Sequence, residues 1–200
     1  ALDSAFTERF WAFVEEGGYE VRERSEGAKV LYRFQKPKAG DFPAMLELFS
    51  RAREGLKLSE DAHLTPLPID KAAASLSAIL LDESYYDFLK SMVREVGGIP
   101  VLGEAAIIPF KARAWLDLTR QREEGGNVDE KNIRKHRNDV ARLLQLLSQE
   151  ARYELPSSVA DDMRSFVEQA TAEADYDPRQ FKVNMTRDDV ATRLRAAYQL

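Results

Sequence analysis

The sequence predicts an α+β chain in which a partial α/β core is followed by a helical bundle, and three observations lead there. Up to about residue 100, β-rich stretches alternate with Gly and Pro turn signals. From about residue 104 onward every apolar pattern has helical spacing. With 200 residues, 44% of them hydrophobic, the chain can bury a sizeable core as one domain or two small ones. We therefore expect an α/β portion over residues 1–100 and a helical domain over 101–200.

Residues 3–16 place Phe6, Phe10, Phe13 and Val14 on one helical face, and Gly17-Gly18 ends the run. "YEVRERSEGAKVLYRFQKP" has two β-rich stretches about Glu26-Gly27, closed by Pro37 and Gly40, and reads as a hairpin. "FPAMLELFS" (42–50) is a short apolar run bounded by charge. "HLTPLPI" (63–69) reads as an extended edge segment, because its prolines cannot donate to a ladder. "SLSAILL" (75–81) fits a strand or a short helix equally. "SYYDFLKSMVREV" returns to helical spacing before Gly97-Gly98 and Pro100. Helical patterns then cover 107–123, 129–149, 156–173 and 186–198, separated by Gly125-Gly126, Pro156 and Asp177-Pro178. Asn127 with Glu130 fits a capping box, and Asp129 is an equally reasonable N-cap.

The formal charge of −5 excludes binding to nucleic acid through overall positive charge and leaves room for a local basic patch. The absence of cysteine removes disulfides, thiolate zinc sites and cysteine nucleophiles. Two histidines argue against a multi-histidine metal site. No apolar run approaches the ~20 residues that span a bilayer. The expectation is a soluble, cytoplasmic protein with no membrane partner.

Three places can carry chemistry. Glu47 stands between Leu46 and Leu48, where a carboxylate is costly unless it faces a cleft, a cation or a metal. It reads as a glutamate on the polar face of an edge strand, or as one ligand of a magnesium site, which takes two or three acids. Lys111 shares a helical face with Ile108, Trp115 and Leu118. It either snorkels to solvent or is a fixed positive charge for a phosphate, whereas Arg113 falls on another, solvated face. Residues 131–143, "KNIRKHRNDVARL", hold five Lys or Arg against one Asp, with His136 on the apolar stripe between Ile133 and Val140. A histidine so placed is ordinarily a packed, hydrogen-bonded core residue. Lys135 and Asp139 are spaced to pair along the helix. The basic face is either solvated or a phosphate-backbone surface. No Gly-rich phosphate loop and no Gly-x-Ser-x-Gly elbow occurs, and Asp175-Tyr176-Asp177 reads as a turn.

Taken together, "FWAFVEEGGYEVRERS", "YRFQKP", "FPAMLELFSR", "SLSAILLDESYYDFL", "IPFKARAWLDL" and "IRKHRNDVARLLQLL" give residues 6–150 a resemblance to bacterial nucleotidyltransferase-like proteins of the AbiEii type. That family includes toxins of type IV toxin-antitoxin and abortive-infection systems. The resemblance implies a nucleotidyltransferase α/β core with a helical domain. It further implies transfer of a nucleoside monophosphate from an NTP, with Mg2+, onto an acceptor such as tRNA or another RNA, and a cognate antitoxin as partner. By motif position Glu47 matches the third metal carboxylate and Lys111 the lysine of a K-x-x-A helix. Lys135 and Asp139 match a later basic-acidic pair. The catalytic set it implies is Glu47, Lys111 and Asp139, with Lys111, Lys135 and His136 facing phosphate. Acids that hold a metal and a lysine that offsets triphosphate charge suit that chemistry. The family's Gly-Ser or Gly-Gly turn and Asp-x-Asp strand are not among these 200 residues, so the expectation is a portion of a longer protein, without full catalytic motifs. The competing expectation is a non-catalytic module that binds nucleic acid or a partner protein through Lys131, Arg134, Lys135 and Arg137.

Overall fold

Phe10 and Trp11 set the inner face of α1 (Ser4–Gly17), where both rings meet Phe34 edge-on, at 5.3 and 5.6 Å between centroids. The computed structural model describes residues 4–23, 29–51, 64–66 and 77–200. The Glu26-Gly27 turn, His63, residues 67–69, Ser75 and Leu76 lie outside the described residues. The chain is α+β and divides into two units, Ala1–Tyr86 and Asp87–Leu200, a boundary earlier than the one expected at residue 100.

In the first unit α1 stops at Gly18, whose φ of +62° is the left-handed conformation that glycine adopts without penalty. The Tyr19 N–H then reaches back to the Val14 carbonyl at 3.2 Å and turns the chain into β1 (Glu20–Glu23). β1 pairs antiparallel with β2 (Lys29–Gln35), as the hairpin expectation has it, and β2 pairs antiparallel with β3 (Met45–Glu47) at the sheet edge. Phe34 is fully buried opposite Leu46, so the neighbouring Arg33–Glu47 pair falls on the other face. The apolar run 42–50 is thus not one strand. After Leu48 the chain enters β4 (Phe49–Arg51) of a second sheet, ordered β4-β6-β5. There β6 (Ser77–Leu81) is central, parallel to β4 and antiparallel to β5 (Leu64–Pro66). Two pairing neighbours settle 77–81 as a strand, which periodicity left open. β5 is an edge strand, the position that its proline tolerates.

The Asp82 carboxylate accepts the Tyr85 N–H at 2.9 Å and caps α2 (Glu83–Ser91). Its helical pattern was expected to continue through Val96. Instead β7 (Val93–Val96) and β8 (Ile99–Leu102) form a hairpin across Gly97-Gly98, with φ of +60° and +81°. Two successive left-handed residues make the two-residue turn that matches strand twist.

The rest of the second unit is helical: α3 (Glu104–Glu123), α4 (Glu130–Leu144), α5 (Ser157–Ala172) and α6 (Arg187–Tyr198), with a 3-10 turn at Pro178–Phe181. Asp129 is the N-cap of α4, accepting the Lys131 N–H at 2.9 Å. α4 ends at Leu144, short of the expected 149; Arg193 of α6 donates to the Leu144 and Leu147 carbonyls at 3.2 and 3.0 Å. A guanidinium there satisfies carbonyls that a helix end leaves open. Trp115 of α3 is 1% exposed and meets Phe166 of α5 edge-on at 5.3 Å. Among the described residues no helix is long and apolar enough to cross a membrane.

Pro109 lies inside α3 and has no N–H for the Ala105 carbonyl four residues back. The buried Tyr198 hydroxyl donates to that carbonyl instead, at 2.9 Å. Tyr198→Phe should therefore cost about 1–3 kcal/mol of unfolding free energy, the range for a buried acceptor left unpaired. Urea denaturation followed by circular dichroism checks it, and an unchanged midpoint would show that the carbonyl finds another donor.

Candidate functional site

Lys111 needs a partner, and the packing of α3 on α4 supplies one. Its ammonium lies 3.3 Å from Asp139, the two side chains 28% and 20% exposed. Asp139 also accepts from Arg142 at 3.2 Å, so one carboxylate spans two cations. The expected Lys135–Asp139 pairing is not what the structure shows; Lys135 is exposed. Burial inside the helical unit favours the contact between helices over the one along α4.

His136 is half-buried on the same helix, and its Nδ1 is buried without a hydrogen-bond partner. The expected hydrogen-bonded core histidine is thus only partly realised. Burial, and after it the charge of Lys111, hold its pKa below the ordinary value; Lys135 acts the same way and Asp139 against it. The neutral imidazole is therefore favoured beside the lysine. Lys111, His136 and Asp139 form one polar cluster drawn from two helices.

Arg137, read from the sequence as a nucleic-acid contact, is 3% exposed. It pairs with Glu173 and with Asp175, the latter at 2.9 Å, and lies over the Tyr176 ring at 4.7 Å. This guanidinium fastens α4 to the segment after α5, and it holds the Asp175 carboxyl below its usual range. Asp175 is thus an ion-pair partner, while Asp177 caps the 3-10 turn through the Arg179 N–H at 3.2 Å. Lys131 and Arg134 are exposed, with Lys135, at helical spacing on one face of α4.

Glu47 lies in the first unit, half-buried on edge strand β3, directly opposite Arg33. Its Oε1 accepts from the Arg33 Nε at 2.6 Å. A cross-strand guanidinium answers the cost of burying this carboxylate. Among the described residues no group of three or more His, Asp and Glu could hold a metal ion. Lys111, His136 and Asp139 share one cluster in the second unit, whereas Glu47 and Arg33 form their own pair in the first.

Sequence reasoning missed Arg113. Rather than facing solvent alone, it pairs with Asp117 at 3.0 Å and, across to α5, with Asp162 at 2.6 Å. The i,i+4 spacing of Arg113 and Asp117 was a visible signal; the Asp162 contact had none. Compared with known protein families, curated proteins and solved structures, the chain matches none.

Two measurements check this electrostatic picture. With its native pKa below the unfolded value, His136 contributes stability above pH ~6.5 that is lost as the pH falls toward the lowered native pKa. The pH dependence of urea unfolding between about 5 and 8 should therefore be shallower in His136→Gln. Arg137→Ala, which leaves Glu173 and Asp175 without their cation, should cost about 2–4 kcal/mol, the lower part reflecting their exposure to water. A loss below about 1 kcal/mol would mark a surface-type pair.

Proposed function

We propose that the chain is a nucleotidyltransferase-like protein of the toxin type, acting on an NTP, with Lys111 and His136 at the phosphate-facing part of its site. The observation that carries this is the Lys111–Asp139 pair, built from two helices beside a histidine with an unpartnered buried nitrogen. A lysine held by one partly exposed carboxylate is a fixed charge that can exchange onto a phosphate oxygen. Asp139 keeps Arg142 when that exchange happens, which limits the cost of release. Lys135, exposed one residue before His136, adds positive charge nearby. The sequence resemblance supplies the reaction class: nucleoside monophosphate transfer to an acceptor such as tRNA.

Radiolabelled NTPs, Mg2+ and total tRNA provide the test. In the longer protein that supplies the family's Asp-x-Asp strand, incorporation should fall at least about 100-fold in Lys111→Ala, in line with loss of a charge that stabilises the transferring phosphoryl group. Circular dichroism should stay unchanged. Wild-type rates in that variant would sink the assignment.

The exposed row Lys131, Arg134 and Lys135 favours a second reading, an RNA-binding face on α4. Neutralising those three should weaken RNA binding and reduce the log–log salt slope by about 2, as three phosphate contacts to a single strand require. Arg137 does not belong to that set, because it is buried in ion pairs.

A further inference from the structure

Gly97 and Gly98, at the tip of the β7–β8 hairpin, stand in open space: a Cβ on either would meet nothing within 4 Å. Every residue of β7 is exposed, Val93 at 41% and Val96 at 57%, and across the turn Ile99 is 64% exposed. Among the described residues the hairpin is a sheet of two strands only. Such a ribbon is marginal in water by itself and presents two outer edges of backbone groups.

The two edges differ. A two-residue turn makes Val96 and Ile99 a hydrogen-bonded pair, and by alternation Arg94 and Val101 are bonded too. Glu95 and Pro100 form the pair between them, so the Pro100 nitrogen, which has no N–H, faces outward and closes the edge of β8. On β7 the N–H and C=O of Val93 and Glu95 face outward instead, and that edge is open.

A second copy of the chain fits this edge poorly. Outward-facing residues bond only to outward-facing residues. The two-fold antiparallel register that bonds both Val93 and Glu95 therefore sets Arg94 opposite Arg94 of the copy, and the next register sets Glu95 opposite Glu95. Like charges directly opposite are destabilising. A strand with the charges reversed meets the same edge well, because Glu95 is exposed and Arg94, 62% exposed, is held only by Glu104 at 3.9 Å.

We propose that the outer edge of β7 takes an extended strand of a partner protein, antiparallel, reading apolar–basic–acidic–apolar from its N-terminal end. Those residues lie opposite Val96, Glu95, Arg94 and Val93 in turn. Backbone bonds hold the strand, and the two charge pairs set its register and direction. The surface is separate from the Lys111 cluster and does not depend on the nucleotidyltransferase reading.

The test uses the full chain and two capped peptides, acetyl-Thr-Val-Lys-Glu-Val-Thr-amide and its charge-exchanged form with Glu-Lys at the centre. In amide NMR spectra the first should saturably shift residues 93–96, and the exchanged peptide should bind about tenfold more weakly, since two attractive cross-strand pairs become repulsive. The double variant Arg94→Glu, Glu95→Arg should invert that preference, a gain that misfolding does not produce. N-methylation of the peptide's lysine, whose N–H faces the Glu95 carbonyl, should abolish binding, and N-methylation of its glutamate, whose N–H faces away, should not. The proposal is overturned if both peptides bind equally, if the double variant keeps the original preference, or if the two N-methyl forms bind alike. Signals of residues 93–96 that move on dilution of the protein alone would mark a second copy as the occupant and overturn it too.

Discussion

The helical unit depends on the burial of α3 on several sides at once. α4 and α5 pack against it and Tyr198 of α6 reaches its first turn, and Ala105, Ala106 and Ala112 are small, buried residues along it. On such a helix the polar groups that are drawn inward are best met by partners on its neighbours. Lys111 finds Asp139 on α4, Arg113 finds Asp162 on α5, and the carbonyl freed by Pro109 finds Tyr198 on α6. Three polar ties to three different helices fix the rotation and height of α3, which apolar packing alone leaves adjustable.

Two kinds of buried charge follow from that arrangement. Arg137 is enclosed by two carboxylates and an aromatic ring, and its ion pairs hold α4 to the segment after α5. Lys111 has one carboxylate, a histidine that prefers to stay neutral, and partial access to water. The first is a fastening; the second stays partly open to water. Glu47 belongs with the first kind, since Arg33 meets it directly across the sheet.

The parts of this fold that local pattern encodes were legible in the sequence. The period of apolar residues gives α1 and the four long helices, and Gly17-Gly18, Asp129 and Pro156 mark their ends. Where two local patterns coincide, legibility fails: Val93–Val96 fits the tail of a helix and a strand equally, and only pairing with Ile99–Leu102 decides. The end of α4 was misplaced because Arg193, distant in sequence, donates to the carbonyls of Leu144, at its end, and of Leu147 beyond it. Of the candidate site, the inward direction of Lys111 and its need for a partner could be read off the helical wheel. Its partner could not, since Asp139 has a nearer lysine along its own helix and chooses the one across the interface. The buried role of Arg137 was hidden in the same way, inside a stretch whose composition looks uniformly basic.

The Pro109 gap ties two distant ends of the helical unit together. Every other turn of an α-helix is steadied by its own backbone ladder, whereas the first turn of α3 borrows one rung from the C-terminal end of α6. The backbone at Ala105, less than two turns before Lys111, is thereby tied to the C-terminal end of α6. The turn that leads to that lysine is held by a tyrosine hydroxyl at residue 198 as well as by its own helix.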